Sequence, residues 1–590
     1  MKFLFEFCGK KIVFVLFLTS FVALLLDLFS IALIFPFLKI FIEPGLLQSN
    51  KLLQKAYNLL GCTSPSTFLY NLGFALMTVY IIKLVLKTSI NKIKFHASNN
   101  VTFRLSKHLF DGLLMARYSL FTEESTSEMI NIVNAQTVHS VICLESVIRI
   151  ANEAAFLFII MVAFIWYNPY VSLFSILSLI FIGFLLYITL VKKIEAFGKI
   201  HAHLNVLVYK YGFAMANSIK DIKIMRLEKS YSHIFSQIWE NYSDNDSKSK
   251  TAKNIPTDIS ETFVFSGIIC ACLYILAAGL DVLHMVPILG VVAVTSMRVL
   301  PSFNRIVSSY NEYRFYKPAL VLVQNLFHKI ETYKQEIEHV KLAFDKSLEI
   351  KDLSFSYCEN KVLDSISLKL DKGGSYAFVG ASGAGKSTLL DVLVGLRESA
   401  DGEFLLDGVA FDPFRTDALR SLVGYVPQNV NLIDETVAFN ISFEIDYDRE
   451  KMQRVISIAR LSDFVGSLQE GLETVLGESG VRVSGGQKQR IGIARALYRD
   501  PAVLIFDEAT SALDTITERE LMAEINQLSK EKTLIIVAHR LSTVEHCDVI
   551  HLLDKGRIIA RGTQSELIQS SAEYRALYCQ QEKAEYETLS

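Results

Sequence analysis

Apolar residues crowd six stretches in the first half of the chain, near Ile12–Leu38, Phe68–Leu86, Ile142–Tyr167, Val171–Val191, Phe263–Gly279 and Val282–Leu300. A helix of about 20 such residues crosses the hydrocarbon core of a bilayer. The pattern predicts six transmembrane helices. After the second and fourth stretches, apolar residues recur at helical spacing among charges, so the membrane helices continue past the bilayer and turn near Arg117–Glu124 and Ala214–Lys223. Between the first two stretches, Leu46, Leu53, Ala56, Tyr57 and Leu60 recur around Lys51 and Lys55. This spacing fits an amphipathic helix over 46–60 on the outer surface. An ordinary structured loop is the alternative.

Beyond Leu342 short apolar runs alternate with amphipathic helical segments and glycines, the pattern of a soluble α/β domain. The expected organisation is a membrane domain over 1–318, a helical linker over 319–341 and a soluble domain over 342–590. A chain of 590 residues exceeds what one core organises.

Charge sets the orientation. Lys87, Lys92, Lys94, Arg104, Lys107 and Arg117 follow the second stretch, and Lys192, Lys193, Lys199, Lys210, Lys220 and Lys223 follow the fourth. The turns at Asn168-Pro169 and Asp281 carry no Lys or Arg, so the basic segments and both termini are expected on the cytoplasmic side. Lys10 and Lys11 precede the first stretch as in a signal peptide, but that stretch runs on to Leu38 without a small-residue cleavage site and reads as a membrane helix. A net charge of −2 and the lack of a basic tract argue against nucleic acid as a partner. The eight cysteines are scattered, which excludes a disulfide framework, and Cys270 and Cys272 lack the further ligands of a metal site.

Charges inside apolar stretches are costly and normally face a cavity or a partner. Asp27, Lys83, Arg298 and Arg305 occupy such positions. Asp27 fits a structural partner for a basic residue on a neighbouring helix. Lys83 and Arg305 fit either a cavity lining or extension to the cytoplasmic interface. If the three cations share a cavity, the cargo carries a phosphate-like or acidic group.

The chemistry of the soluble half centres on Gly380-Ala381-Ser382-Gly383-Ala384-Gly385-Lys386-Ser387, followed by Thr388. An apolar strand enters this loop and an amphipathic helix leaves it. In that setting the glycines let backbone N–H groups face nucleotide phosphates, Lys386 reaches the terminal phosphates, and Ser387 offers a hydroxyl to Mg²⁺. ATP and Mg²⁺ are the implied cofactors. Tyr357 is placed to stack on the base, although a lone tyrosine also serves plain packing. Gln428 ends Gly424-Tyr425-Val426-Pro427 and is able to reach Mg²⁺ or the attacking water.

Further along, Ser484, Gly485, Gly486 and Gln487 open another helix and supply a second anion-binding N-terminus. The apolar run Ala502–Phe506 delivers Asp507 and Glu508 at a strand end, where Asp507 would hold Mg²⁺ and Glu508 would polarise water. Asp514 follows, and the next strand ends at His539, placed to contact the terminal phosphate.

Loop, second N-terminus, Asp507-Glu508, Asp514 and His539, in this order over Leu348–Leu567, resemble the nucleotide-binding domain of an ABC transporter. That resemblance implies an ATP hydrolase with Lys386, Ser387, Gln428, Asp507, Glu508 and His539 in one half-site and Ser484, Gly485 and Gly486 in the facing half-site of a second copy. A homodimer sandwiching two ATP molecules follows from it. Gly477-Glu478-Ser479-Gly480 resembles the element with which exporters communicate with membrane-helix turns. Six spans before one ATPase domain is likewise the exporter arrangement, the type I ABC exporter fold. Arg298–Ile306, the turn Ser218–Lys223 and the external segment resemble most closely the PglK-type flippases of the bacterial inner membrane. There Lys83, Arg298 and Arg305 would meet the diphosphate of a polyprenyl-linked glycan; a peptide or another lipid is the alternative cargo.

Overall fold

The computed structural model describes residues 2–42, 64–167, 169–277, 282–399, 401–477, 480, 483–509, 521, 523, 525, 532–538 and 540–589. The chain divides into two compact units, Met1–Ala116 with Leu120–Lys334, and Gln335–Ser590 with Arg117–Ser119.

Six long helices build the first unit: α1 (Lys2–Ile42), α2 (Pro65–Leu114), α3 (Thr137–Tyr167), α4 (Pro169–Asn217), α5 (Glu228–Ala277) and α6 (Val282–Thr332). Five of them contain one of the six apolar stretches entire, and α5 contains the fifth stretch as far as Ala277, the last described residue there. At 1.5 Å per residue a helix of 50 residues such as α2 is roughly 75 Å long, more than twice a bilayer core. Among the described residues Ser66–Leu114 is long and apolar enough by itself to cross a membrane. Short helices, Tyr118–Glu123 and Ile219–Ile224, stand at the two expected turns. The external segment 46–60 lies outside the described residues. The connector expected to be helical over 319–341 stays helical only to Thr332.

Close backbone packing joins α4 to α6. A Cβ added at Gly198 would stand 2.1 Å from the carbonyl oxygen of Phe315, whereas one at Gly212 on the same helix meets nothing within 4 Å. Gly198→Ala is therefore expected to destabilise the protein by roughly 1–3 kcal/mol through overpacking. Gly212→Ala should be neutral or stabilising, since alanine is the better helix former. Thermal unfolding of the two variants checks this; equal melting temperatures would refute the close approach.

In the second unit, a four-stranded antiparallel sheet runs β2 (Asn360–Asp371), β1 (Ser347–Tyr357), β4 (Asp401–Leu406), β5 (Val409–Phe411). The larger sheet has the order β10 (Arg557–Gly562), β9 (Val549–Asp554), β3 (Ser375–Val379), β8 (Thr533–Val537), β7 (Val503–Asp507), β6 (Val423–Val426). Its strands from β9 to β6 are parallel, and only β10 runs antiparallel. Strands β3, β7 and β8 are buried at every position, since side chains alternate between two cores. Ala377, Val379, Leu504 and Phe506 enter one core; Tyr376, Phe378, Val503 and Ile505 enter the other. This two-sided burial explains why these strands read as unbroken apolar runs.

A few polar side chains enter that interior, among them a histidine. His551 on β9 is 3% exposed, its ring lies 5.2 Å from that of Phe378, and burial pushes its pKa down to about 4. The unfolded chain, with a histidine near 6.5, binds the proton first. Stability from the neutral ring is complete above pH 6.5 and is lost as pH falls towards 4, a loss of roughly 3 kcal/mol. His551→Phe should flatten this part of the pH–stability profile; an unchanged acid slope would contradict it.

Candidate nucleotide site and the cavity of the helical unit

The phosphate loop joins β3 to the helix Lys386–Leu393. Gly380 has φ 154°, and a Cβ there would stand 2.2 Å from the carbonyl oxygen of Leu553, so only glycine lets the chain turn beneath β9. Gly385, at φ 100°, caps the helix in the left-handed region. Ala384 N–H donates to Ala381 O at 3.1 Å and Leu389 N–H to Gly385 O at 2.9 Å, which closes the loop onto the helix. Within this turn Ser382 and Gly383 are exposed, Ser387 and Thr388 begin the helix, and Lys386 folds back. Its Nζ donates to Gly380 O at 2.9 Å and Ala381 O at 3.1 Å, and the residue is 5% exposed. Burial lowers its pKa, while Glu508 and Asp507 oppose that shift.

Parallel pairing brings the acidic pair to the same edge of the sheet. Asp507 pairs with Val537 in the ladder, and Val537 pairs with Phe378, two residues before the loop. Asp507 is 8% exposed; burial raises its pKa, and Tyr425 Oη donates to its Oδ2 at 2.9 Å. Burial and the same carboxylate raise the pKa of Tyr425. Glu508 takes φ 50°, uncommon for a residue with a side chain, and its N–H donates to Val537 O at 2.9 Å. Gln428 Nε2 donates to Glu508 Oε2 at 2.6 Å. Gln428 and Glu508 are thus brought together beside Asp507.

Tyr357 is 38% exposed, with its hydroxyl 3.5 Å from Thr388 Oγ1 and the Arg397 guanidinium 4.7 Å from its ring. Arg397 is anchored by Asp391 at 3.1 Å. A base stacking on Tyr357 would share the ring with that guanidinium. Ser484 caps the helix Gly485–Tyr498 through a capping box: its Oγ accepts from Gln487 N–H, and Gln487 Oε1 accepts from Ser484 N–H at 2.9 Å. Ser484 and Gly485 are exposed and Gly486 half-buried. Asp514, His539, Glu478 and Ser479 lie outside the described residues.

The residues present suit Mg²⁺. A buried carboxylate with a raised pKa at Asp507 is a hard oxygen donor that gains from a cation, and the Ser387 hydroxyl on the loop's helix is a second donor of the same kind.

In the helical unit a cavity of about 240 Å³ opens among α1, α2, α3 and α6. It is lined by Asp27, Lys87, Lys94, Arg149, Asn152, Glu153 and Arg305. Arg305 therefore lines it, engaged to Glu153 at 2.5 and 3.1 Å. Lys83 instead pairs with Asp27 at 2.8 Å, next to the Lys87–Asp27 pair at 2.9 Å, and is not among the lining residues. The Arg298 side chain lies outside the described residues. Lys87, Lys94 and Arg149 were not singled out for the cavity by sequence. Arg149 and Asn152, one helical turn apart inside an apolar stretch, were the available signal.

Comparison with known proteins adds the class. Residues 363–511 match the family model described as ABC transporter. The ATP-bound structure of a bacterial Atm1-family ABC exporter superposes with a TM-score of 0.78, covering 95% of this chain and 98% of that one at 23% identity. The chain thus has the fold of an ABC exporter: a helical membrane-type unit followed by a P-loop α/β ATPase unit. A curated relative from Pectobacterium atrosepticum, named ATP-dependent lipid A-core flippase, is 40% identical over 286 residues, 48% of each chain. Proteins of the same name from Salmonella typhimurium and Escherichia coli K12 are 37% and 36% identical over 49% and 50% of this chain, and 51% of their own. The chain matches about half the length of these relatives. These relatives are named for lipid A-core, whereas the PglK-type resemblance expected from sequence points to a polyprenyl-linked glycan.

Proposed function

We propose that this protein is a membrane-embedded, homodimeric ABC exporter that uses ATP hydrolysis to move a phosphorylated, sugar-bearing lipid outward across a bacterial inner membrane. The observation that carries the cargo class is the cavity of the helical unit, whose lining cations Lys87, Lys94, Arg149 and Arg305 outnumber its carboxylates, Asp27 and Glu153. An excess of positive charge lining a cavity favours an anionic guest. The names of the relatives support a saccharolipid, and the diphosphate of a polyprenyl-linked glycan offers the same chemistry.

In the ATPase unit, Lys386 and the loop N–H groups bind phosphates, and Glu508 takes a proton from water while Gln428 orients its carboxylate. Asp507, Ser387 and Gln428 would hold Mg²⁺, which supplies charge neutralisation for the phosphates. Ser484, Gly485 and Gly486 present a helix N-terminus to the nucleotide of a second copy. His539 would contact the terminal phosphate, Asp514 joins the nucleotide-binding set, Tyr357 and Thr388 flank the base side, and Arg298 joins the cargo cations.

Reconstitution of the chain alone in proteoliposomes tests the proposal. The wild type should translocate a fluorescent phosphorylated saccharolipid in an ATP-dependent manner, while Arg298→Ala/Arg305→Ala should retain ATPase and lose translocation. ATP hydrolysis without lipid movement would overturn the cargo assignment.

A further inference from the structure

Of the charges that line the cavity, only some are engaged by protein partners. Arg305 is held by both oxygens of Glu153 and also donates to Ser302 Oγ at 3.0 Å. Lys87 is held by Asp27, which Lys83 shares. The rest of the lining is under-satisfied. Among the described residues Lys94 forms no ion pair, and Arg149 has only Glu312, at 3.6 Å. Among the described residues Asn152, 8% exposed, leaves its Nδ2 donor without a partner, and Ser20 Oγ, which lines the same cavity, is also unpartnered. Orphaned buried donors carry an uncompensated desolvation cost. Their persistence beside an unpaired ammonium marks a seat for an acceptor-rich anion.

We propose that Glu153 and Asp27 are built-in, displaceable counter-ions of this seat. They hold Arg305 and Lys87 and yield them to the phosphate group of the lipid when it enters. The inference rests on the cargo reading given above. Lys94, Asn152 and Ser20 form the part of the seat that meets the anion first, because nothing there must be broken. Recruiting Arg305 and Lys87 requires exchange of one anion for another. The geometry permits it at Asp27, which keeps Lys83 when Lys87 leaves. The two carboxylates thereby weaken binding of every anion and disfavour weakly charged lipids, which lack the charge to displace them. They also preserve a route for release, since they recapture the cations as the lipid departs.

Equilibrium binding to the purified full-length protein without nucleotide tests the inference, with a fluorescent lipid bearing a sugar phosphate and its dephosphorylated counterpart as probes. Glu153→Gln should bind the phosphorylated probe about tenfold tighter, worth about 1.4 kcal/mol, and leave the dephosphorylated probe unchanged. Asp27→Asn should shift affinity in the same direction, which guards against a packing defect at one site, and Lys94→Ala should weaken only the phosphorylated probe. Unchanged affinity in both carboxylate variants, or equal gains for both probes, would overturn the counter-ion role. A wild type that prefers the phosphorylated probe with inert carboxylate variants removes this inference alone. A wild type without preference whose Glu153→Gln variant acquires one supports the counter-ions and overturns the cargo reading. No preference in any protein overturns both.

Discussion

Glu508→Gln is expected to slow ATP turnover about 10²–10⁴-fold, the range of a general base, while ATP affinity stays within about threefold of the wild type. The carboxylate sits just past the last residue of β7, on a backbone of φ 50° pinned by its own N–H to Val537 O. Its side chain accepts a 2.6 Å hydrogen bond from Gln428 Nε2. Glutamine keeps a carbonyl oxygen that accepts the same bond, so the local geometry survives and only basicity is lost. Steady-state hydrolysis together with ATP binding separates the two properties. Turnover near that of the wild type would sink Glu508 as the principal base, and equal loss of binding would reassign it to nucleotide or metal binding.

The parts of this architecture that were legible in the sequence are those whose determinants are local. A membrane helix announces itself by its own composition, and the phosphate loop by eight consecutive residues between a strand and a helix. The six helices and the two short turn helices follow from such signals. Contacts made across the fold were less legible. Tyr425 appears in sequence only as part of a strand, yet it donates to Asp507, 82 positions away, because β6 and β7 are adjacent and parallel. The Gln428–Glu508 pair has the same origin, at a separation of 80.

In the helical unit, hydropathy identified charges that are costly in lipid but not which helices share their interior. Lys83 therefore ranked with Arg305, although it is 15% exposed and pairs with Asp27. Lys94 and Arg149, which line the cavity, were passed over. Lys94 lies beyond the second apolar stretch, and Arg149 is masked by the strong apolar residues that follow it. Pairing across helices decides which charge is structural and which is presented to a guest.

Lys386→Ala should remove most ATP-dependent stabilisation and leave the nucleotide-free protein nearly as stable as before. Its ammonium is buried and held by two carbonyl oxygens, and that burial lowers its pKa. Deleting the group relieves the cost of burying a charge and forfeits two bonds to backbone carbonyls, so the net change is small. With ATP the balance differs. Charge-assisted hydrogen bonds contribute about 1.5–3 kcal/mol each, and loss of one or two weakens affinity roughly 100-fold. At a concentration 100 times the wild-type Kd, ATP stabilises the wild type by about 2.7 kcal/mol, whereas a variant binding 100-fold more weakly gains only about 0.4 kcal/mol. Lys386→Arg should not restore the shift, because the planar guanidinium does not fit a pocket shaped for a compact ammonium. Thermal unfolding with and without Mg-ATP reads the difference directly. If Lys386→Ala kept the wild-type ATP-induced shift, the ammonium would belong to the loop's own structure, with phosphate binding carried by its backbone N–H groups alone.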